Sequence, residues 1–223
     1  MTIRRFLNAA LIAGVALFLM AASASASIIT YNSGTSPAVT NIALQATELN
    51  GNVVFPDFNC PGCTLTSVSI TLEGDISGSI SLHNGDVSSQ TSSGTTTTQF
   101  TGGSLFSFSA NFGTGSQLIL AGGTYLLSSG SGTNSATDVV TSGLSSYVGT
   151  GFWNLPVSTL SGLTILGGGG NMTGSQTTQA SAEGTITYTY TPAGTVPEPA
   201  TLSLIGGALL GLGVLGRKKL FRQ

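Results

Sequence analysis

Apolar side chains recur at every second position through the middle of this chain. Val68, Ile70 and Leu72 alternate with Ser67, Ser69 and Thr71, and Ile76, Ile80 and Leu82 keep the period across Gly78. Phe106, Phe108, Ala110 and Phe112 alternate with Ser107, Ser109 and Asn111. Ile186, Tyr188 and Tyr190 alternate with Thr185, Thr187 and Thr189. A period of two puts one face of a strand in a core and the other in water, whereas a helix needs a period of 3.6. Abundant glycine and low charge raise the question of disorder, but this periodicity argues against it. No segment between residues 27 and 196 keeps a helical period. The pattern therefore predicts an all-β domain, an antiparallel β-sandwich of jelly-roll-like type with solvated Ser/Thr faces.

The same reading places the turns. Glu73-Gly74-Asp75 is expected to join two runs as a hairpin. Asn84-Gly85, after His83, has the form of a second hairpin turn. Residues 88–98 (SSQTSSGTTTT) and the glycine run 167–170 read as surface connections, and the threonine run could carry O-linked sugar.

Charge is distributed unevenly. All six Lys and Arg residues, Arg4, Arg5, Arg217, Lys218, Lys219 and Arg222, lie near the two ends. Residues 27–196 hold Glu48, Asp57, Glu73, Asp75, Asp86, Asp138 and Glu183 with no Lys or Arg, a formal charge of −7 against −2 for the whole chain. Such a domain cannot neutralise phosphates, which excludes nucleic-acid binding, and it lacks an arginine clamp for anionic substrates.

The ends have their own logic. Arg4 and Arg5 precede an apolar stretch over 6–20 and the small residues 22–26, the form of a secretory signal peptide cut after Ala26 or, second, Ala24. The paired arginines also invite a twin-arginine reading, although Phe6 follows them directly. Residues 192–196 form a linker. Pro197-Glu198-Pro199 comes next, and the two prolines hold Glu198 extended. An apolar run over 200–216 follows, about 26 Å long as a helix at about 1.5 Å per residue, short but sufficient for a single transmembrane helix. Arg217, Lys218 and Lys219 form a basic stop that stays cytoplasmic. An ordinary tail anchor is the plainer alternative.

Proline-glutamate-proline, an apolar helix and a basic cluster together resemble the PEP-CTERM sorting signal of exported Gram-negative proteins. The resemblance implies that residues 197–223 are recognised and processed by exosortase, with Pro197, Glu198 and Pro199 as the recognised residues. Residues 52–82, 144–155 and 182–192 resemble the choice-of-anchor E domain through Pro56-Asp57-Phe58, Leu65-Thr66-Ser67-Val68, Gly149-Thr150-Gly151 and Thr187-Tyr188-Thr189-Tyr190. This chain departs from that pattern by inserting Cys60-Pro61-Gly62-Cys63. That resemblance implies an exported β-domain and carries no catalytic residues.

Candidate chemistry is sparse. Cys60 and Cys63 are the only cysteines, and in an oxidising compartment a Pro-Gly turn between them favours a structural disulfide. A redox Cys-x-x-Cys would need a helix after the first cysteine, and no helix signal is present. Zinc needs further Cys or His ligands, and only His83 exists. His83 lacks a recognisable nucleophile, so no catalytic residue is assigned. Glu73, Asp75 and Asp86 could ligate calcium without forming a calcium loop. Trp153 could stack on a sugar or serve as a core anchor. The expected molecule is a non-enzymatic protein without cofactor or metal. It is exported across the inner membrane, held there as a precursor and then delivered to the cell surface. Its expected role is structural or adhesive, with exopolysaccharide as a possible partner; the alternative is a carbohydrate- or calcium-binding module.

Overall fold

In a computed structural model of the full chain, residues 26–193 and 206–209 are described. Ten strands run in chain order: β1 (Ser27–Tyr31), β2 (Ile42–Ala46), β3 (Asn50–Pro56), β4 (Thr64–Asn84), β5 (Gln90–Gly102), β6 (Phe106–Gly113), β7 (Gln117–Ile119), β8 (Thr124–Val140), β9 (Phe152–Gly167) and β10 (Met172–Thr191). One turn of 3-10 helix, Leu144–Tyr147, is the only helical element between them. One sheet has the order β1-β10-β4-β8 with β2 also on β10; the other has β3-β9-β5-β6 with β7 on β5. β2 with β10, β3 with β9, β4 with β8, and β5 with β6, β7 and β9 all pair antiparallel. Ile28–Pro61 with Leu65–Tyr190 forms one compact unit that contains this core.

The core lies between the inner faces of the two sheets. Val68, Ile70, Leu72, Ile76, Ile80 and Leu82 of β4 face it, as do Val53 and Phe55 of β3, Phe100 of β5, Leu155 and Val157 of β9, and Ile186 and Tyr188 of β10. The alternation expected along these segments is what buries them.

Three turn assignments change. Glu73-Gly74-Asp75 is no hairpin turn: β4 runs unbroken through it for 21 residues. Gly74 is buried, and a Cβ there would lie 2.6 Å from the Phe100 ring of the facing sheet. Glycine is present to admit that ring, not to reverse the chain. Residues 88–98 are not a surface connection either, because most of them form β5, paired with β9 on one side and with β6 and β7 on the other. Ser92, Thr96 and Thr98 are buried there. Their hydroxyls are satisfied: Thr96 Oγ1 donates to Gln176 Oε1 of the facing sheet at 2.6 Å, and Thr98 Oγ1 lies 2.7 Å from Ser161 Oγ. A threonine run can thus be core when each hydroxyl has a partner. Asn84-Gly85 makes no hairpin, since β4 and β5 belong to different sheets. Asn84 is fully buried, and its amide donates to the carbonyls of Ser88, Ile119 and Leu120 at 2.9, 3.0 and 3.1 Å. The glycine run 167–170 is the β9–β10 connection as expected, with positive φ at all four glycines.

Ala24 and most of the signal segment, residues 194–205, which include the sorting tripeptide, and the basic stop Arg217, Lys218 and Lys219 lie outside the described residues. Of the expected transmembrane span, 206–209 are described and are α-helical. Among the described residues no helix is long and apolar enough to cross a membrane.

The strand assignment at Gly74 is testable. Gly74→Ala is expected to destabilise the domain by about 1–3 kcal/mol, because the Phe100 ring must shift. Adding Phe100→Leu is expected to recover part of that loss. Urea unfolding of the single and double variants measures both; a turn at this position would tolerate alanine with no coupling to residue 100.

Candidate functional site

The sequence patterns scattered over positions 56, 147–153 and 188–190 meet at one end of the two sheets. β3 stops at Pro56, and the next residues turn onto the segment before β9. Asp57 N–H donates to Gly151 O at 3.0 Å, Phe58 N–H to Tyr147 O at 2.8 Å, and Gly149 N–H to Phe58 O at 3.1 Å. Gly151 N–H donates to Asp57 Oδ2 at 3.2 Å. A Cβ on Gly149 would stand 2.6 Å from that oxygen, so the carboxylate fits only against a bare backbone.

Aromatic rings fill the space behind this turn. Phe58 packs between Tyr188 and Tyr190, with centroids at 5.4 and 5.0 Å. Phe55 stacks on Trp153 at 4.8 Å, and Tyr147 meets the indole edge-on at 5.1 Å. Tyr31 meets Tyr188 edge-on at 6.0 Å. The Tyr188 hydroxyl donates to Pro56 O at 2.7 Å within the core. Burial pushes this hydroxyl well above the usual tyrosine range; the indole of Trp153 opposes that rise, and the charges of Asp57, Tyr31 and Tyr147 add to it. The indole Nε1–H is close enough to act on Tyr188, yet it makes no hydrogen bond of good geometry. Burial and then the charge of Asp138 raise the Tyr147 hydroxyl as well. The arrangement holds one carboxylate and two tyrosine hydroxyls, Tyr147 and Tyr188, kept protonated by burial, which suits a rigid clasp.

Trp153 is therefore half-buried, stacked on Phe55 and met edge-on by Tyr147, not free for a sugar. Its neighbour Phe152 is the exposed ring, at 58 %. Strand parity carried the signal: Leu155 and Val157 face the core, so Trp153 faces inward and Phe152 outward.

The other expected residues are dispersed. Cys60 and Cys63 are both disulfide-bonded. His83 Nδ1 lies 3.0 Å from Thr124 Oγ1 on the neighbouring strand. Glu73 and Asp75 stand at alternate positions of β4, where Thr133 Oγ1 donates to Asp75 Oδ1 at 2.5 Å. Asp86 is in the β4–β5 connection, where Gln90 Nε2 donates to Oδ2 at 3.1 Å. Among the described residues no group of three His, Cys, Asp or Glu side chains converges on a possible metal site.

Two outcomes follow. Because the folded-state pKa of Tyr188 is raised, its contribution is fully present below the unfolded value, near pH 10, and declines as pH rises above it. The urea midpoint is expected to fall above pH 10, and Tyr188→Phe to flatten that alkaline slope while losing the bond to Pro56. Cys60→Ser is expected to lower stability by about 2 kcal/mol at most, since the closed loop is so short; thermal unfolding with and without reductant measures it.

Comparisons with known proteins place the tail and leave the domain open. Residues 195–219 match the PEP-CTERM protein-sorting motif. No curated relative matches the chain. Among solved structures, the infectious bursal disease virus Gx strain aligns at 11% identity over 85% of this chain and 51% of the other, with a TM-score of 0.14. A family two carbohydrate esterase from Cellvibrio japonicus aligns at 9% identity over 78% and 38%, with a TM-score of 0.13. The parasporin-2 toxin of Bacillus thuringiensis aligns at 14% identity over 70% and 74%, with a TM-score of 0.15. Scores this low carry no argument about the fold or its use. The sorting motif marks the chain as an exported protein of Gram-negative type, made as a membrane-anchored precursor and processed by exosortase.

Proposed function

We propose that this protein is a non-catalytic, jelly-roll-like β-sandwich that exosortase delivers to the cell surface, where it serves as a structural or adhesive component of the polysaccharide layer. The match of residues 195–219 to the sorting motif carries the reading. Cleavage at or near Pro197-Glu198-Pro199 removes the span over 200–216 and the basic stop with it, and the signal peptide takes Arg4 and Arg5. What is delivered is a domain with no Lys or Arg and seven acids. The convergence of Asp57 with Gly149 and Gly151 supports the choice-of-anchor E-like reading, because these residues of the resemblance form one turn. The lone histidine bonding a threonine, and the clasp built around Asp57, support a role in holding shape rather than in turnover.

The sorting step is tested by replacing Pro197-Glu198-Pro199 with three alanines in the natural host. The variant is expected to accumulate in the inner membrane as a longer precursor, with a several-fold loss from the surface fraction. Mass spectrometry of both mature termini reads the outcome; unchanged processing and surface yield would overturn the reading.

A further inference from the structure

The two sheets differ in what they show to solvent. Glu73, Asp75, His83, Asp138 and Glu183 all stand on β4, β8 or β10, strands of one sheet. The strands of the other sheet, β3, β9, β5, β6 and β7, carry no charged residue at all. On the charged sheet the outward hydroxyls pair with one another: Thr30 with Thr187 at 2.9 Å, Thr71 with Thr137 at 2.8 Å and Ser79 with Thr177 at 2.7 Å.

The uncharged sheet is different at one end of its outer face. Asn50 of β3 stands opposite Ser158 of β9, which stands opposite Thr101 of β5, so the three form one row across the sheet. All three are exposed, and none makes a side-chain hydrogen bond among the described residues. Together with Gly103, Pro156 and Val157 they line an open cavity of about 290 Å³. The outward positions of β9 continue the surface: Ser158, Pro156, Asn154 and then the exposed ring of Phe152. Asn52 stands beside Pro156 on β3. Strands lie about 4.8 Å apart and outward residues about 7 Å apart along each, so donors, acceptors and apolar faces alternate at the scale of single sugar rings.

We infer that this outer face, from the Asn50–Ser158–Thr101 row to Phe152, binds an uncharged polysaccharide. Sugar C–H faces suit Phe152 and Pro156, and sugar hydroxyls suit unpaired amides and hydroxyls that can both donate and accept. Charge selects the class: a domain with seven acids and no Lys or Arg repels polyanions, and the strands of this face offer a polycation no carboxylate, Glu48 and Asp57 standing just outside the two ends of β3. A second copy of the domain is the competing occupant, since Leu160 and Leu166 are also exposed on β9, at 65 % and 64 %. Unpaired polar groups between them, and the like charge of two copies, favour the glycan. The inference rests on the polysaccharide-layer reading above and deepens it.

The test is affinity electrophoresis of the exported protein, recovered from the cell surface, in native gels containing dextran, galactomannan, hydroxyethyl cellulose or alginate. Retardation by at least one of the three uncharged polymers and not by alginate is expected. Phe152→Ala and the pair Asn50→Ala/Ser158→Ala are expected to weaken it at least five-fold with unchanged thermal unfolding, and Thr71→Ala on the other sheet to leave it unchanged. No retardation in any uncharged gel, equal retardation by alginate, or indifference to the Phe152 and Asn50/Ser158 changes would overturn the inference. So would a concentration-dependent dimer that Leu160→Ser abolishes together with the retardation. Extraction of the surface layer separates the two readings. Protein retained in the layer despite Phe152→Ala, with no binding in the gels, sinks the face alone; protein never retained in the layer sinks the broader role.

Discussion

Phe100 set against Gly74 is the contact on which the domain closes. β4 lies inside one sheet, between β10 and β8, and β5 lies inside the other, between β9 and β6. The ring occupies the space a side chain at residue 74 would need, so the facing strands meet closely there. Phe108, opposite Phe100 on β6, stacks on it at 5.3 Å and extends the contact toward the sheet edge. Away from this centre the core grows polar. Thr96 bonds Gln176 between the sheets, and Thr159 accepts from the Leu49 N–H. Buried hydroxyls are tolerable only in pairs, because an unpaired one costs its full desolvation. Thr178 Oγ1 is an exception, buried without a partner.

A domain without Lys or Arg must manage its carboxylates by other means. Here backbone amides and neutral side chains hold them: Gly151 N–H on Asp57, Thr133 on Asp75, and Gln90 with the Val87 N–H on Asp86. Sheet edges, which lysines often guard, are protected differently. β3 ends on a proline, and Asn134 of β8 donates to the Ser109 carbonyl of β6 at 2.7 Å. Four of the seven acids stand on the strands of one sheet and none on those of the other, and that difference gives the sheets unlike outer faces.

Much of this was legible, for a clear reason. Period-two alternation reports directly on burial, so β4, β6 and β10 could be read from their residues. The errors came where a residue type has two uses. Gly74 reads as a turn because glycine usually frees the backbone; here it makes room for a ring of the facing sheet. Residues 88–98 read as a loop because Ser and Thr usually face water; here most of them form β5, and Gln176 and Ser161 complete the hydrogen bonds of Thr96 and Thr98. Trp153, with a core anchor favoured over a sugar platform, is the half-buried anchor expected, packed on Phe55 and Tyr147. The disulfide at Cys60 and Cys63 was expected from composition and compartment.

Local chemistry was enough to mark the chain for exosortase-type sorting and to reveal most of its strands. The sorting motif and the strand periodicity are carried by residues adjacent in the chain, and adjacency is what a sequence records. Only the tertiary structure decided which strands share a sheet, and therefore that Asp57 meets Gly149, that every charge falls outside one sheet, and that Asn50, Ser158 and Thr101 stand in one row. Those relations join residues about 50 to 110 positions apart, through backbone ladders whose register depends on the whole core closing at once.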